Sequence, residues 1–268
     1  MFQELQDFEA EGQSLQHLLS ELPAADWQKP TPFKQWTVWD VVAHLHLSDQ
    51  WAVASLDGAA HFNAAAGSLV GALQSGTTLA EYTRAHFASL PGPAILTSWR
   101  ECFAGLTQRL ATLDPKARLT WFGPDMGARM FVTARYMETW AHGQDLYDLL
   151  GRQRSYTDSI RAIATLGIKT FAFTFKNRGL PVPAPEPYVR LVAPSGAIWE
   201  WNTPSDTDRV EGMASEFCHV VTQGRNIVDT RLKVVGDTAT RWMAIAQCFA
   251  GPPENPPAPG SRLKAYSR

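Results

Sequence analysis

The chain has 268 residues, and its 24 Lys and Arg residues nearly balance its 26 Asp and Glu residues, giving a formal net charge of -2. A chain of this length buries roughly 70–75% of the surface that it exposes when unfolded, so a core forms without disulfides. Near neutrality excludes the basic surface typical of nucleic-acid binding and the polybasic anchor that anionic lipid attracts. We therefore expect neither nucleic acid nor a membrane as a partner. The ten tryptophans indicate an aromatic core or an aromatic-lined pocket.

Cysteine usage and the amino terminus bear on the cellular compartment. Cys102, Cys218 and Cys248 lie far apart among apolar residues, which is typical of reduced core thiols and not of a disulfide framework. The first residues are acidic where a secretory signal is basic. The most apolar long stretch, residues 51–73, is interrupted by polar residues before it reaches the roughly 20 apolar residues that a membrane span needs. These features predict a cytoplasmic protein.

Helical patterns fill the first 150 residues. Apolar residues recur every three or four positions near the amino terminus, which is typical of an amphipathic helix. Thr37 and Thr78 each precede an acid by three residues, the pattern of a capping box that begins a helix. Four principal helices with one long crossover predict a helical bundle. The predicted helical segments are residues 2–22, 37–56, 78–90, 95–113 and 128–150.

The second part of the chain has a different pattern. Prolines alternate from Pro181 to Pro187, so this segment must be extended. Helices are predicted over residues 158–176, 208–223 and 237–249, and strands over 188–192, 197–201 and 232–235. This mixture indicates a small α+β unit. The predicted domains are a helical bundle over 1–152, an α+β domain over 153–250 and a Pro-rich tail over 251–268.

Glu138 and His142 are the pair that indicates chemistry. Four residues apart on a predicted helix, their side chains lie on one face about one turn apart, close enough to bind one ion. Carboxylate and imidazole together suit Zn, Fe, Ni or Mn. His44 interrupts an apolar helix face, and as a third ligand it leaves one metal position open, as in catalytic sites. The alternatives are an exposed helix pair at 138 and 142 and a core histidine at 44.

Two segments carry a resemblance to a known family: Trp36-Thr37-Val38-Trp39-Asp40-Val41-Val42-Ala43-His44-Leu45 and Glu138-Thr139-Trp140-Ala141-His142-Gly143-Gln144-Asp145. They resemble the mycothiol-dependent maleylpyruvate isomerase family, which belongs to the DinB-like metal-binding four-helix bundles. The chain is similar in particular to a subgroup of uncharacterised metal-binding proteins of about this length. Residues 196–199 and 224–225 resemble the small carboxy-terminal α+β domain of the family, which has a sterol-carrier-like fold.

The resemblance implies roles for individual residues. It implies that His44, Glu138 and His142 hold a divalent metal, commonly zinc, with water completing the site. Arg225 matches an arginine that points from the second domain toward the metal cleft, where a guanidinium holds a substrate carboxylate through two parallel hydrogen bonds. Asp145 fits a role in supporting a metal ligand. The alternatives are a surface ion pair for Arg225 and local capping or pairing for Asp145. Arg135 either neutralises acid near the site or is solvated.

The resemblance also implies a reaction class. A metal with an open position lowers the pKa of a bound thiol, and a thiolate adds to an activated double bond, permits rotation and leaves. Because no cysteine lies in a nucleophile motif, the thiol is expected to be a low-molecular-weight cosubstrate. We expect a metal-dependent, thiol-linked isomerase or transferase that acts on a small unsaturated acid or its thioester, as a monomer or homodimer. The alternatives are a metal-dependent hydrolase and a non-catalytic binding module.

Overall fold

The computed structural model describes residues 2–123 and 125–262. The chain divides into two compact units, Met1–Leu149 and Leu150–Arg268. The end of the predicted Pro-rich tail, residues 263–268, lies outside the described residues. Within the described ranges, no helix combines the length and the apolar character needed to cross a membrane.

The first unit is a helical bundle, as predicted. Its principal helices are α1 (Gln3–Ser20), α2 (Val38–Leu56), α5 (Ala94–Ala111) and α6 (Ala128–Leu150), as the apolar periodicity predicts. The long crossover between α2 and α5 contains two further helices, α3 (Ala59–Gln74) and α4 (Leu79–His86). The sequence analysis predicted α4 but no helix over the residues of α3. A short hairpin of β1 (Arg118–Leu119) and β2 (Met126–Gly127) precedes α6.

The two predicted capping boxes fix where α2 and α4 begin. The Thr37 hydroxyl accepts from the Asp40 backbone N–H, and the Asp40 carboxylate accepts from the Thr37 backbone N–H at 2.8 Å. Thr78 and Glu81 do the same at the start of α4. Arg84 of α4 then donates two hydrogen bonds to Asp40, at 2.6 and 2.7 Å. Burial alone raises the pKa of Asp40, but the bonds from Arg84 and Thr37 outweigh it and hold this pKa below its usual value. The cap of α2 is thereby tied to α4.

The second unit is a small α+β fold around a four-stranded sheet. Its elements are α7 (Arg161–Lys169), α8 (Phe171–Lys176), β3 (Tyr188–Val192), β4 (Ile198–Trp201), β5 (Arg209–Met213), α9 (Ala214–Val221), β6 (Lys233–Val235) and α10 (Asp237–Ile245). The sheet order is β4-β3-β5-β6. Strand β3 is antiparallel to β4 and parallel to β5, and β6 is antiparallel to β5. Leu191 and Val210 are buried on one face, where the helices pack.

Two predictions for the second unit were wrong in part. The segment 208–223 begins not as a helix but as the interior strand β5, and α9 follows it without a connecting loop. Gly212 in this strand has φ +149°, and a Cβ there would lie 2.7 Å from Leu232. The missing side chain thus permits the close approach of the segment that contains Leu232. The prediction of a helix over 208–223 did not take this role of the glycine into account. The helix predicted over 158–176 is divided at Thr170 into α7 and α8.

Candidate metal centre

The structure brings the three predicted ligands together between α2 and α6. His44 projects from α2, and Glu138 and His142 project from one face of α6. His44 Nε2 and His142 Nε2 each lie 3.6 Å from the same oxygen, Glu138 Oε2. The ligand atoms of the three residues all lie within 4.8 Å of one another. The histidine rings meet edge to face with centroids 4.7 Å apart. The three side chains therefore converge on one point.

Electrostatics hold His44 and Glu138 in the protonation states that bind a metal. Burial lowers the pKa of His44 to about 4, so its imidazole is neutral at pH 7. Burial alone would raise the pKa of Glu138, but the His44 imidazole facing it, with His142 and Arg135 nearby, lowers that pKa to about 2. A neutral imidazole and an ionised carboxylate are the ligand forms, so a metal need not compete with protons for them at neutral pH.

Asp145 supports one of the two histidines. Its Oδ2 lies 3.2 Å from His142 Nδ1, and only 4% of the Asp145 surface is exposed. A carboxylate at this position accepts a hydrogen bond from Nδ1–H, which leaves the lone pair of Nε2 directed at the ligand cluster. His44 has no comparable support, because its buried Nδ1 has no hydrogen-bond partner among the described residues.

Two aromatic rings cover the ligand cluster, and sequence reasoning singled out only one of them. Phe33 lies edge-on to His142 with ring centroids 5.1 Å apart, and Trp36 stacks on His142 at 5.9 Å and leans on His44 at 5.2 Å. Both belong to a tight loop closed by the hydrogen bonds Thr31 N to Trp36 O and Trp36 N to Phe33 O. Its other two tip residues, Lys34 and Gln35, adopt left-handed φ values of 49° and 59°. Trp36 is therefore the tryptophan that contacts both histidines of the ligand cluster.

Other tryptophans near the ligands in sequence serve the core. Trp39 Nε1 donates to the Leu90 carbonyl at 2.7 Å, and Trp51 packs against Phe122. Trp121 packs against Phe62 and Phe131, and Trp140 is buried. Most of the tryptophan excess is thus structural.

Arg135 is buried and paired with an acid, which agrees with the first of its two predicted alternatives and excludes the solvated one. Its guanidinium donates to Asp49, and both side chains are almost completely enclosed. Asp49 was not predicted as a site residue. An acid in the apolar sequence of α2, five residues after His44, was the available signal that a buried cation faces this helix.

Arg225 lies in the second unit and is 5% exposed, so the surface alternative was wrong. Its backbone N–H donates to the His219 carbonyl at 3.1 Å, and its guanidinium donates to the Gly224 carbonyl at 2.7 Å. Burial, together with the positive charges of Arg225 and Arg154, lowers the pKa of His219 well below its usual value. Tyr156 Oη lies 2.9 Å from His219 Nε2. The role of Arg225 toward the metal cleft stays a prediction.

The donor set fits a divalent transition metal. Two ligands held tetrahedrally at about 2.1 Å from one ion are about 3.4 Å apart. The two observed separations of 3.6 Å match that spacing and are longer than a hydrogen bond. Two imidazoles and one carboxylate suit Zn, Fe, Ni or Mn and leave a position open.

The chain combines a DinB-like helical bundle, which carries this His/Glu cluster, with an α+β unit. The model of the mycothiol maleylpyruvate isomerase N-terminal domain matches residues 8–147. The chain belongs to this family, as its sequence motifs predict.

Solved structures and relatives agree with this assignment. The crystal structure of the mycothiol-dependent maleylpyruvate isomerase superimposes with a TM-score of 0.52, and that of a point mutant of the same enzyme with 0.53. Each is 16% identical and covers 81% of this chain and 86% of that chain, which shows a shared fold. The uncharacterised proteins MT0041 and Rv0036c of Mycobacterium tuberculosis are 38% identical over 251 residues, or 92% of this chain and 95% of each relative.

Proposed function

We propose that the protein is a metal-dependent, thiol-linked isomerase or transferase that acts on a small unsaturated acid or its thioester. The convergence of His44, Glu138 and His142 on one point is the observation that carries this proposal. Membership of the mycothiol maleylpyruvate isomerase family supports a low-molecular-weight thiol as the cosubstrate.

The proposed ligands are His44 Nε2, His142 Nε2 and Glu138 Oε2, with zinc as the expected ion. A divalent ion with an open position supplies a Lewis acid that lowers the pKa of a bound thiol or polarises a carbonyl. Asp145 holds His142 in the required tautomer and orientation. Phe33 and Trp36 cover one side of the histidine rings and exclude water there.

The cysteines of the chain support an external thiol. Burial raises the pKa of Cys102 to about 12, and burial raises the pKa of Cys218 further still. Cys248 is also buried. A thiol reacts as its thiolate, so a buried cysteine with a raised pKa is a poor nucleophile at neutral pH. A cosubstrate is therefore the better source of sulfur for this chemistry.

Arg225 is the proposed carboxylate-binding residue for an acidic substrate. A guanidinium presents two parallel N–H donors to a carboxylate, and an ammonium does not. Arg225→Lys is therefore expected to raise KM for an acidic substrate and to leave bound metal unchanged. A loss of metal from this variant, or an unaltered KM, would contradict the assignment.

The deciding experiment combines metal analysis with a turnover assay. Protein purified without chelator is expected to hold about one zinc ion per chain and to isomerise maleylpyruvate only when mycothiol is present. Glu138→Gln is expected to lose both properties. Glu4→Gln is the matched control. It is the same substitution at a carboxylate of α1 that pairs with Arg129 and is not a proposed ligand.

The alternatives give different results. Metal-dependent cleavage of an ester or amide without thiol, with uptake of water, would identify a hydrolase. Metal-dependent retention of ligand without turnover would identify a binding module. Either result would refute the thiol-linked reaction, and absence of bound metal from the wild-type protein would refute the metal centre itself.

A further inference from the structure

A buried ion pair lies beside the ligand cluster and has no part in the proposed chemistry. Arg135 Nε and Nη2 donate to Asp49 Oδ1 at 3.1 and 2.9 Å. Trp99 Nε1 donates to the other oxygen, Asp49 Oδ2, at 2.8 Å. The side chains of Arg135 and Asp49 are 2% and 0% exposed. Both oxygens of the carboxylate are therefore held by donors of fixed geometry.

The pair connects the same two helices that carry the ligands. Asp49 follows His44 by five residues on α2, and Arg135 precedes Glu138 by three residues on α6, so the pair lies about one turn from the cluster. Trp99 adds α5 to the same junction. The backbone of α2 lies close to the backbones of α3, α4 and α5. Its contact with α6 at this point is made by the long side chain of Arg135, which extends from α6 to Asp49.

Stability is a poor explanation for this pair. Removing two charges from water is costly, and apolar residues of similar volume often replace a buried ion pair with no loss of stability. The two hydrogen bonds from one guanidinium to one carboxylate form a fork with a fixed geometry. Both bonds can form only at one position of one helix against the other, so the fork specifies how the helices are aligned. Apolar packing tolerates small sliding movements that would separate the ligands.

We propose that Asp49 and Arg135 are positioning residues that fix the register of α2 against α6. Through that register they hold His44 Nε2 at the distance from Glu138 and His142 that a single metal ion requires. The inference rests on the metal centre of the proposed function and not on the thiol reaction.

The test replaces the whole polar cluster by apolar residues. In the triple variant Asp49→Leu, Trp99→Phe, Arg135→Met, no buried polar group of the cluster loses its partner. We expect it to fold and to bind zinc about 10- to 100-fold more weakly in a chelator competition, the range found when supporting groups of a metal site are removed. The visible spectrum of the cobalt-loaded protein is expected to change as well. Phe103→Leu, a core substitution on α5, is the matched control.

A second variant covers the case in which the triple variant does not fold. Arg135→Lys keeps the charge but loses the fork, and it is expected to weaken zinc binding and alter the cobalt spectrum. Zinc affinity within about twofold of wild type in the folded triple variant, or in Arg135→Lys, would overturn the proposal. An equal loss in Phe103→Leu would also overturn it. Absence of zinc from the wild-type protein would instead refute the metal centre, so the two failures are distinguishable.

Discussion

Replacing Asp145 by asparagine tests whether this carboxylate supports a metal ligand or only pairs locally. The change keeps the size of the side chain and an oxygen acceptor for His142 Nδ1, but it removes the charge. A hydrogen bond to a charged group contributes about 1.5–3 kcal/mol and a neutral one about 0.5–1.5 kcal/mol. The 3.2 Å separation is at the long end of the range for a hydrogen bond, which favours the smaller difference, about 1 kcal/mol. Zinc affinity should therefore fall roughly 5- to 10-fold.

The measurement is competition for zinc with a chelator of known affinity. Asp145→Ala removes the acceptor entirely and should cost about 1.5–3 kcal/mol, or roughly 10- to 150-fold in affinity. Asp148→Asn is the matched control, because Asp148 is also buried on α6 but accepts from Gln144 at 2.8 Å. It should leave the affinity within about twofold of wild type. Equal affinities for the two asparagine variants would refute the assigned role of Asp145 and leave local pairing as its only function.

Three further predictions concern stability. Burial lowers the pKa of His46 from 6.5 to about 4. Between these pH values the unfolded chain binds more protons than the folded chain, so the free energy of unfolding falls as the pH drops from 6.5 toward 4. His46→Phe should flatten urea-derived stability against pH in that window, and an unchanged slope would contradict the burial argument. Gly12→Ala would place a Cβ 2.1 Å from Phe103 and should cost about 1–3 kcal/mol in urea unfolding, whereas Gly105→Ala enters open space on a helix and should be neutral or stabilising. Zinc at 100 times its Kd should stabilise the protein by about 2.7 kcal/mol, and persistence of this gain in Glu138→Gln would remove that residue from the ligand set.

Local signals determined which helices were predictable. The capping box at Thr37 and the run that ends at Gly151 marked α2 and α6 correctly, because caps and breakers act over a few residues. Helix α3 escaped prediction because it is rich in alanine and glycine and buries only three residues, Phe62, Ala66 and Leu69. Such a short apolar face gives little periodicity. Strand β5 escaped because the chain passes from it directly into α9.

The ligands were predictable for a similar reason, and their surroundings were not. Glu138 and His142 share a helix face by spacing alone, and a histidine in an apolar helix already suggested a third ligand. Asp49 and Phe33 required knowledge of what lies opposite them. The contact of Phe33 with His142 spans more than 100 residues and depends on a loop whose tip adopts left-handed φ values. No local pattern specifies such a partnership.

The polar side chains of α2 differ in whether they have a partner at hydrogen-bond distance, and this difference distinguishes structural groups from the proposed metal ligand. Asp40 is satisfied by Arg84, His46 Nε2 by the Ser98 hydroxyl at 2.9 Å, and Asp49 by two donors, each within hydrogen-bond distance. His44 differs, because its nearest acid oxygen is 3.6 Å away and is equally far from a second histidine. Two imidazoles facing one carboxylate at that distance leave a partly buried charge, 25% exposed at the Glu138 side chain, without close hydrogen bonds from either ring, an arrangement that costs free energy. A bound cation removes that cost, and the metal is proposed to bind at this point of α2.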